Sequence, residues 1–502
     1  MLEAQAHHEL KALLRREGRG AHDGWPHQLS LCRLVARSLR RGDRTLVRLT
    51  PGSDPGWLLG LLVPLALGET PVVLVLSQGL KQRLLQVELA RLGRAGLSLP
   101  CYEGEDPGNT KVWLLSVPEL VSAWRGDRLK GRQLVIPEAE QLDARLRASL
   151  ALRLDAADWE RLARAHPALR TGLGELYSRL SRQVMAHPGG SRRPLLLSPE
   201  DEAPLRQLLG LLHPLPEPWA TWRSSGGDAW VSWTEQEPTR AEQAPSVEGL
   251  PPAERLLQWS LHRQPLEPLR VLEGLMDGQG AVVVAELAST MGQLGLPGGP
   301  ALGLEPDVVV DLGAEPLADP LPLYAPLRQP LPNSPRYGEH LLEQCRRLVL
   351  GQGGLTLVLL DDEGLRLSLA SGLAAEFGSR VVHEHTAPES HGVVCARWSW
   401  WLTHQGRMPD PSQIVVALLP IASLDDPLTA AQVLALRREG RDWFRERLLP
   451  DGLTRLQLGV VGLRRQGGRL AVLDGRLRGR SWGRQVLRAL EPWVNLSRLL
   501  PH

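Results

Sequence analysis

Leu134-Val135-Ile136-Pro137-Glu138-Ala139-Glu140-Gln141-Leu142 decides how the rest of this chain is read. Its first three residues are apolar and form a short buried strand, and the acidic run behind them favours a helix. A carboxylate is thereby delivered to a strand tip. Nucleotide-hydrolysing motors present in this way the glutamate that orients a water for attack on a γ-phosphate. Glu138 is therefore the candidate catalytic residue. A motor of this kind places a Mg²⁺-holding Asp just before that glutamate, and here the position is Pro137. Asp54 and Glu140 are the carboxylates that would have to replace it as metal ligands.

Strand-like and helical segments alternate on both sides of this tip. Glu3–Arg16 and Gln28–Arg40 have helical spacing. They are followed by strand Thr45–Leu49, helix Trp57–Ala66, strand Val72–Leu76, helix Gly79–Leu92, strand Val112–Leu115 and helix Glu119–Trp124. Continuous apolar strands alternating with helices predict a parallel sheet covered on both faces. From Asp143 to Trp222 the pattern is helix-rich, which predicts a helical insertion. Trp230–Trp233 reads as a strand, Pro238–Pro252 as a polar loop, and Val282–Ala285 resumes the sheet.

The Gly- and Pro-rich stretch from Gly295 to Pro335 joins two domains. A second series follows, with strands at Leu355–Leu360, Val381–Val382, Val393–Ala396, Gln413–Leu418 and Leu470–Leu473, and helices at Glu363–Phe377 and 427–447. The expected class is α/β, with two tandem parallel-sheet domains and a helical insertion in the first. The boundaries are a first domain at 1–300 with its insertion at about 143–222, a linker at 301–335 and a second domain at 336–502.

A chain of 502 residues is too long for one core, in keeping with two to four domains. The net charge of +2 gives no global sign of nucleic-acid binding. Locally, Arg437–His502 carries fifteen Arg against six acidic residues, either a phosphate-binding surface or a solvated face. The 16 Trp against 2 Phe are read mainly as GC-rich codon usage. Four Cys without C-x-x-C spacing indicate neither a disulfide framework nor a zinc site. No apolar run is long and clean enough to span a bilayer, and no signal peptide opens the chain. A reducing cytoplasm is the expected compartment, with no metal site.

After strand Thr45–Leu49 comes Thr50-Pro51-Gly52-Ser53-Asp54-Pro55-Gly56-Trp57. Strand, glycine loop and helix are the context of a phosphate-binding loop, which would use Thr50, Gly52, Ser53 and Gly56. The motif G-x-x-x-x-G-K-[ST] requires a Lys after the last Gly, and none is present. A plain Gly/Pro turn explains the same residues. Ser77 and Ser116 stand at C-terminal strand ends, and Ser116-Val117-Pro118-Glu119-Leu120 has the form of a T-P-x-x-L element.

Toward the C-terminus, Gln457-Leu458-Gly459-Val460-Val461-Gly462-Leu463-Arg464-Arg465 precedes Leu470-Ala471-Val472-Leu473-Asp474-Gly475-Arg476. Taken together, these features resemble the DinG/XPD branch of superfamily 2 DNA helicases, and in particular a shortened helicase-like group found in cyanobacteria. That branch ends on Q-x-x-G-R-x-x-R followed by a D-x-R triplet. Gln457, Arg464, Asp474 and Arg476 match it, and Val461 replaces its first Arg. Ala285-Glu286-Leu287-Ala288 lies at the place of the family's S-A-T-L strand end, and Pro332-Asn333-Ser334 resembles its linker. Trp398-Ser399-Trp400-Trp401-Leu402 resembles the W-x-x-W-L of the cyanobacterial group.

The resemblance implies two RecA-like motor domains, ATP and Mg²⁺ as cofactors, and ATP-dependent DNA unwinding. It implies adenine recognition by Gln28, nucleotide contacts at Gln457, and Arg464 or Arg465 facing the nucleotide. Ser77 and Ser116 would grip the nucleic-acid backbone. The four-Cys insertion of XPD is absent, so no iron–sulfur cluster is implied. Without the Lys, the Asp and one Arg, the retained activity expected is binding of single-stranded DNA or RNA, with Trp398, Trp400 and Trp401 as stacking candidates beside a core role. The alternative is a non-catalytic helicase-fold scaffold or regulator in DNA repair. A small-molecule kinase or ATPase would need the phosphate-loop Lys that is missing.

Overall fold

The computed structural model describes residues 2–18, 25–49, 55–186, 194–237, 258–272, 275, 280–286, 306–312, 320–351, 353–465 and 467–496. The chain divides into two units. One comprises Met1–Glu140, Gly278–Ile421 and Phe444–His502, and the other Gln141–Asp277 with Ala422–Trp443.

In chain order the first strands are β1 (Arg44–Leu49), β2 (Val72–Val75), β3 (Cys101–Tyr102), β4 (Val112–Leu115) and β5 (Gln133–Ile136). The second unit then supplies β6 (Leu152–Leu154), β7 (Leu195–Leu196), β8 (Trp230–Glu237) and β9 (Gln258–Pro265). The first sheet is completed by β10 (Ala281–Glu286) and β11 (Val308–Asp311), in the order β11-β1-β10-β5-β2-β4-β3. The remaining strands are β12 (Leu321–Tyr324), β13 (Thr356–Leu359), β14 (Val381–His383), β15 (Val393–Ala396), β16 (Gln413–Val416), β17 (Arg469–Val472) and β18 (Trp493–Asn495). They form a second seven-stranded sheet, β14-β15-β13-β16-β17-β12-β18. Pairing within both sheets is parallel.

The expected α/β class, with two parallel-sheet domains, is the observed one. Strands such as Val72–Val75 and Val112–Leu115 are buried at every residue, as a sheet covered on both faces requires. Helix Leu58–Leu67 is apolar all round and buries eight consecutive residues, Leu58 to Leu65. Each fully buried Leu contributes roughly 1.5–3 kcal/mol. Helix Trp25–Arg41 crosses it closely at Gly60, where a Cβ would lie 2.8 Å from the Gln28 carbonyl oxygen.

The stretch read as a linker supplies a strand to each sheet, β11 to the first and β12 to the second. Helix 427–447 is interrupted. It runs from Pro427 to Arg438 and stops before Gly440, whose φ of +70° takes the left-handed conformation that ends helices.

In the second unit the insertion carries helices and also an antiparallel sheet, β6-β9-β8-β7. Its core gathers Trp159, Trp219, Trp222 and Trp259. Trp159 packs edge-on to Trp219 at 4.8 Å, and Tyr177 stacks on Trp259 at 5.0 Å. Much of the tryptophan excess is therefore core material. The sequence-distant helix Pro427–Arg438 belongs to this unit, where Gln432 donates to the Leu266 carbonyl at 3.3 Å. The loop read at Pro238–Pro252 lies outside the described residues. Among the described residues no helix is long and apolar enough to cross a membrane.

Candidate nucleotide and nucleic-acid site

Parallel pairing brings the C-terminal ends of all strands in a sheet to one edge, where the ligands of open α/β folds bind. In the first sheet, β10 lies between β1 and β5, and Leu49 is in register with Glu286. The tip after β5 therefore shares its edge with the end of β1. Pro137 is buried there, and its side chain offers no ligating atom. Glu138 follows with φ +58°, a left-handed conformation costly for a residue with a Cβ. It turns the chain from strand into the short helical turn Ala139–Gln141.

Glu140, in the same turn, is half-buried and accepts a hydrogen bond from the Glu286 amide at 3.1 Å. Desolvation pushes its carboxyl up to about 8, and the neighbouring Glu286 and Glu138 carboxylates add to the rise. In this setting the protonated form is favoured at neutral pH. Sequence reading missed the pairing of Glu140 with Glu286. The signal was present in the acidic residue ending the apolar run Ala281–Ala285.

Of the phosphate-loop candidates, Thr50, Gly52 and Ser53 lie outside the described residues, as does Asp54. Gly56 is buried in the turn Pro55–Trp57. Trp57 and Leu58, both buried, stand where the motif would place its Lys and its Ser or Thr. Gln28 is also buried, and its Oε1 has no hydrogen-bond partner among the described residues.

Ser77 and Ser116 follow the paired strands β2 and β4 and cap the helices that begin there. Ser77 Oγ accepts from the Leu80 amide at 3.2 Å. Ser116 forms a capping box: its Oγ donates to Glu119 Oε2 at 2.7 Å, and its amide donates to the same oxygen at 2.6 Å. The hydrogen bond from the Ser116 amide leads the effects that hold the Glu119 carboxyl below its ordinary range.

In the second sheet, Trp398 and Trp401 are fully buried. Their indole N–H groups donate to the carbonyls of Leu418 at 3.0 Å and Gly459 at 2.8 Å. Neither ring is open to stack on a base, which corrects the expectation for these two. Trp400 is half-buried and stacks on His404 at 4.7 Å. The neighbouring Arg397 is held by Glu384, whose Oε1 and Oε2 accept from Nε at 2.7 Å and Nη2 at 2.9 Å. That hydrogen-bonded arginine brings the Glu384 carboxyl down to about 2.

Gln457 is buried and donates to the Ala489 carbonyl at 3.0 Å. Arg464 donates to the carbonyls of Leu490, Pro492 and Glu491. Both side chains thus fix the helix Gly483–Ala489 and the turn after it. The side chain of Arg465 lies outside the described residues. Val461 is buried where the related motif has its first Arg. Asp474 is fully buried and joins Arg476 to the end of β16, accepting from the Leu419 amide at 2.9 Å and from Arg476 Nη2 at 2.6 Å.

No family model matches this sequence. The ATP-dependent DNA helicase YoaA of Escherichia coli is 27% identical over 176 residues, 32% of this chain and 28% of that protein. The ATP-dependent DNA helicase YoaA of Haemophilus influenzae is 30% identical over 121 residues, 24% of this chain and 19% of that protein. The matched stretches thus span less than a third of either relative. In fold, Xpd4 of S. tokodaii superposes with a TM-score of 0.55 at 13% identity, over 90% of this chain and 96% of its own. An apo XPD structure gives 0.57 at 13% identity, over 93% of this chain and 100% of its own. In matched sequence, over a third of its length or less, this chain is similar to the YoaA helicases, and in fold it is similar to XPD structures.

Proposed function

We propose that this protein binds single-stranded nucleic acid on a helicase fold and does not hydrolyse ATP efficiently. The observation that carries the proposal is the tip of β5. A buried proline occupies the metal-holding position, and the Glu140 carboxyl in the turn behind it is engaged by the Glu286 amide. ATP–Mg²⁺ does not fit that donor set, and Trp57 and Leu58 stand in place of the phosphate-loop Lys and Ser/Thr. Loss of an arginine finger alone lowers turnover by roughly 10³–10⁵. Here Val461 replaces one arginine, and Arg464 is engaged by backbone carbonyls.

Binding has less demanding requirements: cations and amides along a strand-end edge, and a ring on which a base can lie. Ser77, Ser116 and Trp400 are the residues proposed for it, within a chain whose C-terminal part is rich in Arg. Fluorescence anisotropy with labelled oligo(dT) and oligo(U) tests this. Trp400→Ala is expected to weaken binding by about 1–3 kcal/mol, the usual worth of one stacked base. Affinity should also fall as salt rises. A folded protein that binds neither oligomer at low salt would overturn the proposal.

A further inference from the structure

Beside the second sheet, a cavity of about 740 Å³, wide open to solvent, lies between the loop after β12 and the turn after β17. It uses none of the residues discussed above as nucleotide or strand contacts. Arg328, Arg336 and Arg478 line it, and among the described residues none of these three guanidinium groups has a hydrogen-bond or ion-pair partner. The acidic groups in the wall are Glu339 and Glu343, of which Glu343 is paired with Arg347. Three unpaired cations facing one cavity favour an anion, and guanidinium donors match phosphate oxygens in geometry.

The remaining lining narrows the ligand. Leu327, 80% exposed at the rim, with Pro330 and Leu331 gives an apolar surface for a flat ring. Two buried polar atoms without partners also belong to lining residues, Gln329 Oε1 and His340 Nε2. Desolvation depresses the His340 pKa, so its ring is neutral at pH 7. Such atoms need a partner when no water reaches them. The volume lies within the roughly 300–1,000 Å³ of small-molecule pockets and exceeds what inorganic phosphate needs.

The cavity is also held in shape. Gln329 Nε2 donates to the carbonyls of Pro326 and Val472, each at 3.1 Å. A Cβ on Gly475 would lie 2.3 Å from the Pro330 carbonyl oxygen, so only glycine lets the two loops meet this closely.

We propose that this cavity binds a nucleotide through a phosphate monoester, carried either by a free mononucleotide or by the phosphorylated end of a strand. The three arginines take the phosphate, the Leu–Pro surface takes the base, and Glu339 accepts from sugar hydroxyls. Isothermal titration of the full chain tests it with deoxyadenosine 5′-monophosphate, deoxyadenosine and inorganic phosphate. Oligo(dT) carrying a phosphate at its 5′ end, at its 3′ end or at neither forms the second arm.

The monophosphate is expected to bind at least about tenfold more tightly than the nucleoside, and Arg336→Ala with Arg478→Ala should remove that difference. If only the end-phosphorylated oligomers show the tenfold gain, and the double variant loses it, the strand end is the ligand. The replaced side chains are exposed, so the unfolding midpoint should not move and serves as the control for folding. The proposal is overturned if phosphate gives no gain in either arm, or if the gain survives in the double variant. Affinity for the unphosphorylated oligomer reports separately on the general binding proposed above and can fail or hold by itself.

Discussion

Replacing Asp474 with alanine is expected to destabilise the domain built on the second sheet by about 3–5 kcal/mol, the usual cost of breaking a buried ion pair from one side. Asp474 has no exposed surface, and its two oxygens accept from the amides of Leu419 and Arg476, both at 2.9 Å, and from the Arg476 guanidinium. Alanine would leave the Leu419 amide and the Arg476 side chain without this acceptor at the ends of β16 and β17. Arg476 retains 24% of its side-chain exposure, so water offsets part of the loss and places the expectation toward the lower bound. Asp474→Asn keeps one acceptor and should cost less. Denaturant unfolding followed by tryptophan fluorescence checks both, and equal midpoints for wild type and Asp474→Ala would contradict a stabilising role for these Asp474 contacts.

Glu140→Gln is expected to act in the opposite direction. The folded chain holds the Glu140 carboxyl at about 8, against 4.5 ordinarily. Between those values the native state keeps a proton that the unfolded chain releases. Stability therefore falls as pH rises from about 4.5 to about 8 and levels off above. The penalty at the upper end is on the order of 2–4 kcal/mol, with solvent around a half-buried residue keeping it below the full shift. Glutamine retains an oxygen for the Glu286 amide and cannot ionise. Its thermal midpoint should match wild type near pH 4.5 and exceed it at pH 8. Parallel midpoint curves for the two proteins across this range would contradict the assignment.

The legible part of the fold was the part with repeated, uniform physics. Four-residue runs such as Val72–Val75 and Val112–Leu115 are apolar throughout, because both sheet faces are covered. The edge strands β3 and β18, two and three residues long, are too short to show such a pattern, and the apolar run of β11, Val308–Val310, lies inside the Gly- and Pro-rich stretch that reads as a linker. In the insertion, β9 was hidden because Gln258–Pro265 mixes Trp, His and Arg, with Arg263 buried against Glu202 at 2.9 Å. A buried ion pair removes the hydrophobic alternation on which strand reading depends.

Of the candidate residues, sequence placed Glu138, Ser77 and Ser116 at strand ends, where they stand. It did not decide which tryptophans face inward. Helical spacing places Trp398 and Trp401 on one face, three residues apart, and Trp400 on another. Which face meets the core depends on where the helix Leu449–Gly459 packs. A Cβ on Gly459 would lie 2.7 Å from the Trp398 ring, a close approach that local sequence does not encode.

Steady-state ATP turnover by the full chain, with and without oligo(dT) and beside Glu138→Gln, tests most directly whether this helicase fold has lost its motor chemistry. Turnover is expected to be indistinguishable from the Glu138→Gln background and unchanged by DNA, while oligo(dT) still binds. DNA-stimulated turnover that Glu138→Gln abolishes would contradict it.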